Sequence, residues 1–464
     1  MPKTSTKTTK TVNSASSMST ANTVPPNLPL QLLGNITPAE FMSKYWQKKP
    51  LLIRGAIAGF KPFLSRDELF AMAEQEDVES RLIVETLTKP TSKPAAKSTS
   101  KSSKKTNPQS MAKWTMTNGP IYPDVLPALK TPNWTLLVQG VDLHNQAAYE
   151  LKNQFRFAPD ARLDDLMISF ATDGGGVGPH FDSYDVFLLQ AEGKRRWKIG
   201  KQKDLTLQKN VPLKILANFA PEQEFVLEAG DMLYLPPMYA HEGVAVGECM
   251  TYSIGFRAPA ELELARELLQ RFADDTLEDE EDEEAEDEEN GQEDDEFEDE
   301  NSALADEYIA NEAIKSIAKN LYKDPKQVAV EAPALIPAAL LDFAKQAVEK
   351  ALSDPDALAR NLGEYLTEPK ANVWFDEPEP DSDEDIILTR QNRVDLHPRS
   401  QMLFDARHIF LNGESWRAAG ADAKLMQKLA NQRFLEPKDL MKSNMASDGA
   451  MALLQEWADA GWLL

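Results

Sequence analysis

Apolar and polar positions along this 464-residue chain follow two rhythms, and the places where one gives way to the other outline its organisation. Residues 1–27 are rich in Ser, Thr and Lys and offer little to bury, so they predict a disordered tail. Thr37-Pro38-Ala39-Glu40 then sets a hydroxyl N-cap before a proline and a glutamate at the third helical position, a capping-box pattern. It predicts a helix from Pro38 to about Gln47, with Phe41 and Tyr45 four residues apart on one side. Short apolar runs predict strands at 51–53, 81–87, 113–117 and 134–141, with a helix over 66–74 between the first two.

From Leu163 to Tyr252 brief apolar runs are separated by turn residues: Gly174-Gly175-Gly176, Glu192-Gly193, Gly230-Asp231, Pro236-Pro237 and Gly247. Many short strands at close spacing predict a barrel or sandwich. Helical periodicity takes over at 260–273, 302–322, 335–352 and 355–366. Leu262, Leu264, Leu268, Leu269 and Phe272 form an apolar stripe on the first of these helices; the stripes of the later three need partners, and a helical domain that pairs with a second copy of itself is expected. The last zone begins near Asn372. There Asn412-Gly413 between two strand-like runs signals a hairpin, and helices at 422–432 and 450–460 complete a winged-helix-like pattern.

Charge changes this picture less than its total suggests. The formal charge is −25, yet twenty acids fall between Asp274 and Glu300. The remainder is near −5, unremarkable for a soluble fold. That acidic run, and a Lys/Ser/Thr/Pro run at 88–110, are expected to be disordered inserts. Charges beyond residue 387 nearly cancel, so no direct DNA binding is expected. One cysteine, Cys249, excludes an intrachain disulfide and a CxxC-type zinc site. There is no apolar run of about 18–20 residues and no secretory h-region. A cytoplasmic, reducing location is therefore expected.

Candidate chemistry sits between Arg162 and Trp197. His180 and Asp182 are separated by one residue, and in an extended segment they share a face with Tyr184. A histidine and a carboxylate so placed are two thirds of a 2-His-1-carboxylate iron site, which leaves coordination positions open. Of the five histidines, His397 and His408 belong to the C-terminal zone and His144 to a polar setting. That leaves His241, brought back by the turn, strand and Pro-Pro corner of residues 230–241. An H-x-D triplet alone is weak evidence; with G-D-x-L-Y-x-P-P-x-x-x-H sixty residues on, the set is specific. On the strand before the glycines, Asp165, Met167 and Ser169 alternate with Leu166, Ile168 and Phe170, so a face with a carboxylate, a thioether and a hydroxyl would line a pocket. Gly174, Gly175, Gly176 and Gly178 are expected to leave space beside the metal.

The segments GPHFD, KRRW, GDMLYLPPMYAH and YSIGFRAP resemble the JmjC-type, cupin-fold dioxygenases. Within them they resemble the bacterial ribosomal oxygenases, which hydroxylate an arginine of large-subunit ribosomal protein sixteen. The resemblance implies an α+β chain: a double-stranded β-helix over 28–258, a helical dimerisation domain over 259–371 and a winged-helix-like domain over 372–464. It implies Fe(II), with 2-oxoglutarate and O₂ as co-substrates, and His180, Asp182 and His241 as metal ligands and catalytic centre. The distal carboxylate of 2-oxoglutarate needs a cation. Lys194, Arg195 and Arg196 are candidates, alternation sets Arg195 beside Trp197, and the family's co-substrate arginine maps to Arg195. Ser169 maps to a position that hydrogen-bonds the co-substrate. Asp165 is then expected to pair with a substrate guanidinium while Met167 and Tyr184 flank its stem, with the β-carbon near iron. The expected reaction is protein-arginine 3-hydroxylation of a ribosomal protein by a homodimer that does not use a membrane. The alternatives are the same chemistry on another target (a histidyl hydroxylase or a demethylase) and a non-catalytic cupin-fold binding module.

Overall fold

The computed structural model describes residues 24–88, 111–272, 334, 336–354, 356–375, 387–441 and 446–464. The acidic insert 274–300, the expected helix at 302–322 and the basic insert (all but Thr88) lie outside the described residues, as does the tail up to residue 23. Residues 24–27, expected in the disordered tail, are described, and the Pro26 carbonyl accepts the Ala39 N–H at 2.9 Å.

The described residues form two compact units. One takes those of Met1–Ala258, Asn372–Arg399 and Lys424–Leu464, the other those of Pro259–Ala371 and Ser400–Ala423. The chain beyond 372 thus contributes to both.

In the first unit helix α1, Pro38–Lys44, starts where the sequence indicates: Thr37 Oγ1 accepts the Glu40 N–H at 3.0 Å. Glu40 turns to Lys44 at 2.7 Å instead of back to the cap, so the capping box is half made. The helix stops before Gln47 because Gln47 is left-handed, at φ 55°. Helix α2, Arg66–Ala73, carries the complete box between Ser65 and Glu68.

Nine antiparallel strands make the sheet that positions the site. They are β1 Leu51–Ile53, β2 Ser80–Thr88, β3 Met111–Asn118, β4 Trp134–Val138, β5 Leu163–Ala171, β6 Val186–Gly200, β7 Gln223–Glu228, β8 Met232–Leu235 and β9 Ala240–Phe256. The spatial order is β1-β8-β6-β9-β5-β4-β2-β3, with β7 on β6. β6 and β9, fifteen and seventeen residues long, pair along most of their length and carry the smaller strands at their ends. On β5, Leu166, Ile168 and Phe170 are buried, as the alternation predicts, and join Tyr252, Ile254 and Phe256 of β9 in one core.

On β5 regular alternation fails at one place. Between Leu163 and Leu166 the β5–β9 register shifts. Both leucines belong to the core although they are three apart, a spacing that would set them on opposite faces of an unbroken strand.

Behind the start of β6 lies the fully buried Asp185. Its carboxylate accepts the Tyr234 hydroxyl at 2.5 Å and the Gln47 side-chain amide at 3.1 Å, with Arg162 at 3.6 Å. Burial and this carboxylate push the Tyr234 phenol upward, so it stays protonated as a donor. Deleting one member of a buried charged network strands the others. Asp185→Ala is expected to cost about 3 kcal/mol or more in urea unfolding; a loss below about 1 kcal/mol would show that the network is dispensable.

The second unit contains helices at 261–272, Ala338–Ala351 and Ala357–Thr367 and a three-stranded sheet: β11 Met402–Phe404, β12 His408–Leu411 and β13 Glu414–Arg417. Strands β10 Val394–Asp395 and β14 Phe434–Leu435 pair within the first unit. Asn412 and Gly413 link β12 to β13 at φ 52° and 95°, the positive pair that a two-residue hairpin turn needs. A Cβ at Gly363 would come within 2.3 Å of the Phe410 ring, so the helix of Gly363 lies directly on β12.

Candidate active site

His180 and Asp182 do not lie on a strand. Residues 172–185 form a loop between β5 and β6, so the expected strand face is replaced by another device. His180 and His241 exchange both backbone hydrogen bonds, His180 N to His241 O at 2.9 Å and the reverse at 2.8 Å. That isolated antiparallel pair fixes the loop to the start of β9. The Asp182 carbonyl accepts the Met238 N–H at 2.7 Å, tying the loop to the Pro-Pro corner, where Met238 is left-handed at φ 63°. Main-chain pairing, not alternation, aims the side chains together.

The imidazole rings lie 4.2 Å apart between centroids. Each Nδ1 is 2.9 Å from a carbonyl, that of Gly178 for His180 and that of Tyr239 for His241. Nδ1 must then be the protonated nitrogen, which leaves the Nε2 lone pairs for a cation. The two Nε2 atoms stand 3.9 and 3.6 Å from different oxygens of Asp182. One donor atom from each of the three residues lies within 4.8 Å of the others, and no other such group of His, Cys, Asp or Glu is found among the described residues. Burial and the neighbouring His180 lower the pKa of His241 to about 4, so it presents a neutral nitrogen at pH 7. Two imidazole nitrogens and one carboxylate could hold iron.

A cavity of about 390 Å³ opens on these three side chains, and Arg195, Ser169, Asp165, Met167 and Tyr184 line it as well. Arg195 is 4% exposed, and its Nε and Nη2 are buried without a hydrogen-bond partner. A guanidinium left so is costly unless a ligand meets it. Its guanidinium lies 5.9 Å from the Trp197 ring, and that ring in turn lies 5.9 Å from His241. Lys194 and Arg196 point the other way, to Glu228 at 2.5 Å and Glu224 at 3.5 Å. The donor set and the orphaned guanidinium together fit a metal with a dicarboxylate co-substrate.

Across the pocket floor β5 and β9 face one another. Ser169 stands opposite Thr251 and Met167 opposite Ser253. Asp165 lies beside Gly255, where a Cβ would come within 3.3 Å of its Oδ1. Its Oδ2 accepts the Gly140 N–H at 2.9 Å. Tyr184 is held protonated by burial and by Asp182 and Asp165. Sequence reasoning missed Thr251, Ser253 and Asp164, all of which line the cavity. Thr251, Ser253 and Gly255 alternate with the core residues Tyr252, Ile254 and Phe256, a signal present in the sequence. Asp164 left no such signal, because only the register shift brings it there.

The glycines serve another purpose than the one expected. A Cβ on Gly178 would meet Ile215 at 3.1 Å and Trp114 at 3.3 Å, and its φ of 76° is left-handed. A Cβ on Gly176 would stand 2.5 Å from the Gly243 carbonyl. They let the loop turn and lie against its neighbours; they do not clear space at the metal position.

Residues 150–264 match the JmjC domain family, and residues 350–464 match the ROXA-like winged helix. The ribosomal protein uL16 3-hydroxylase of Escherichia coli is 30% identical over 381 residues, 81% of this chain and 84% of that protein. A probable ribosomal oxygenase of Haemophilus influenzae is 34% identical over 229 residues, 48% of this chain and 50% of the relative. A histidyl-hydroxylase and lysine demethylase, NO66 of Dictyostelium discoideum, shares 40% identity over 76 residues, only 15% of this chain and 14% of its own. The solved structure of the E. coli ribosomal oxygenase YcfD with cobalt and 2-oxoglutarate superposes with a TM-score of 0.64 at 27% identity, covering 92% of this chain and 97% of that one. Likeness that runs through four fifths of both sequences reaches well beyond the matched JmjC segment: the chain belongs to the JmjC-domain ribosomal oxygenases, enzymes that depend on iron and 2-oxoglutarate.

Proposed function

We propose that this protein hydroxylates the β-carbon of an arginine in ribosomal protein uL16, with His180, Asp182 and His241 holding Fe(II). The observation that carries the reading is the single cavity into which the triad, the unpartnered Arg195 and the carboxylate of Asp165 all open. Bound iron, 2-oxoglutarate and O₂ supply the oxidising power that replaces one C–H by C–OH. The chain does the rest. Arg195 grips the distal carboxylate through two parallel charge-assisted hydrogen bonds, and the Ser169 hydroxyl donates to the same co-substrate. Asp165 receives the substrate guanidinium, an attraction strengthened by burial. Met167 and the neutral phenol of Tyr184 flank the aliphatic stem, so the side chain enters extended with its β-carbon toward the triad. A neutral imidazole would gain less from Asp165, which sets the histidyl-hydroxylase reading behind the arginyl one.

The domain division at 258 and 371, a homodimer, a cytoplasmic location and the absence of DNA binding complete the reading. Dimerisation is supported by the helix Ala338–Ala351, which among the described residues leaves Leu341 and Val348 more than half exposed. Mass spectrometry of ribosomal proteins from cells with and without the gene tests the substrate. One oxygen atom added to one uL16 arginine, only in cells that make the protein, is expected. An unmodified uL16 in both would remove the substrate reading and leave the iron chemistry standing.

A further inference from the structure

The irregularity of β5 has a support that the reaction itself does not use. On the turn after β4, Gly140 is left-handed at φ 59° and opens the short 3-10 segment Val141–Leu143. Its N–H reaches the Asp165 carboxylate at 2.9 Å. Two residues on, the fully buried Asp142 accepts the Leu166 N–H at 2.8 Å through Oδ1. Its Oδ2 is bound by Lys152 of helix α3, Gln146–Asn153, and the same ammonium lies 3.5 Å from the Asp164 carbonyl. The turn thus holds the Asp165 side chain within the register shift and the Leu166 N–H at its end, while Lys152 of helix α3 reaches the Asp164 carbonyl between them.

The consequence is geometric. In a regular strand consecutive side chains point to opposite faces, so Asp164 and Asp165 could not line one cavity. Here both do, while Leu163 and Leu166 both enter the core. Leu166 N–H is a buried donor, and Asp142 satisfies it where the ladder is broken. Burying Asp142 demands a counter-charge, which Lys152 supplies. Asp164 stands nearer the mouth, 3.7 Å from Arg257.

We propose that Asp142 and Lys152 are positioning residues for substrate recognition: their buried ion pair clamps the β5 bulge that turns two consecutive carboxylates, Asp164 and Asp165, toward a cationic substrate side chain. The inference rests on the arginine reading for its substrate and on the bulge alone for its geometry. Neither residue touches the metal ligands or Arg195, so the co-substrate half of the site is untouched by the clamp.

The test uses full-length enzyme loaded with Fe(II). Asp142→Ala is expected to raise KM for a uL16 arginine peptide by about tenfold or more, and to weaken peptide binding to the cobalt-loaded protein by a similar factor, the size of one lost charge-assisted contact. Succinate release without peptide should stay within about twofold of wild type, since it reports only the co-substrate half. A variant that is merely less well folded would lose both turnovers together at unchanged KM. The double variant Asp142→Asn with Lys152→Met keeps an acceptor for Leu166 N–H without a buried charge, and should recover most of the peptide affinity. Unchanged peptide KM and binding in Asp142→Ala would overturn the clamp. If the wild-type enzyme ignores the uL16 peptide, the substrate reading fails, and a crystal structure of Asp142→Ala then decides the clamp. The bulge is expected to straighten or Asp165 to leave the cavity, and an unmoved bulge overturns the proposal.

Discussion

His241→Ala should abolish 2-oxoglutarate turnover, with and without a protein substrate, by at least about three orders of magnitude. The expectation follows from where the imidazole sits. His241 is 3% exposed, its Nδ1 is committed to the Tyr239 carbonyl, and its Nε2 faces Asp182 and the His180 ring. No other histidine among the described residues joins the group, so nothing can substitute. The fold should survive, because the bonds that pin the loop are between the main chains of residues 180 and 241 and an alanine keeps them. Cobalt should therefore raise the melting temperature of the wild-type protein and leave that of the variant unchanged, because only the former binds it tightly. Turnover retained in a variant that no longer responds to cobalt would contradict the assignment of His241 as a ligand.

Arg195→Met should produce the second largest effect, of a different kind. The guanidinium is buried, two of its nitrogens lack partners, and its outward neighbours Lys194 and Arg196 are already paired with Glu228 and Glu224. Truncating one partner of a buried, hydrogen-bonded charge pair costs about 2–5 kcal/mol. The KM for 2-oxoglutarate is thus expected to rise between about thirtyfold and several thousandfold, while turnover at saturating co-substrate falls much less. The ligand-free protein should be as stable as wild type or more so, since the substitution removes a buried charge whose donors are unsatisfied. Thermal unfolding and 2-oxoglutarate titrations check both halves. A variant with normal KM and lowered stability would make Arg195 a structural residue and reopen the choice of co-substrate anchor.

Much of this site is written in side-chain alternation. Arg195 beside Trp197 on the inner face of β6, and Met167 and Ser169 on one face of β5, follow from a period of two that both strands keep there, whereas Asp165 reaches the same cavity from within the bulge. The hairpin at Asn412-Gly413 was legible for a similar reason, since its dihedrals demand those residue types. At His180, Asp182 and Tyr184 alternation gave the right common side for the wrong reason, since they stand on a loop. Their common direction comes from main-chain bonds to His241 and Met238, sixty residues away in sequence, which no local pattern encodes. It also hid Asp164. A bulge depends on what the neighbouring turn offers, here Gly140 and Asp142, and that partnership is tertiary. The glycines of 174–178 were recognisable as a turn. That they lie against Gly243, Ile215 and Trp114 could be seen only once those residues had been brought alongside.

The most direct test of the whole arrangement is a crystal structure of the cobalt-loaded protein with 2-oxoglutarate and a uL16 arginine peptide. The expected result has cobalt on His180, Asp182 and His241, the distal carboxylate of 2-oxoglutarate on Arg195, and the peptide guanidinium against Asp165 with its β-carbon turned to the metal. An arginine that binds outside this cavity, or one that enters it with another carbon nearest the metal, would contradict the account.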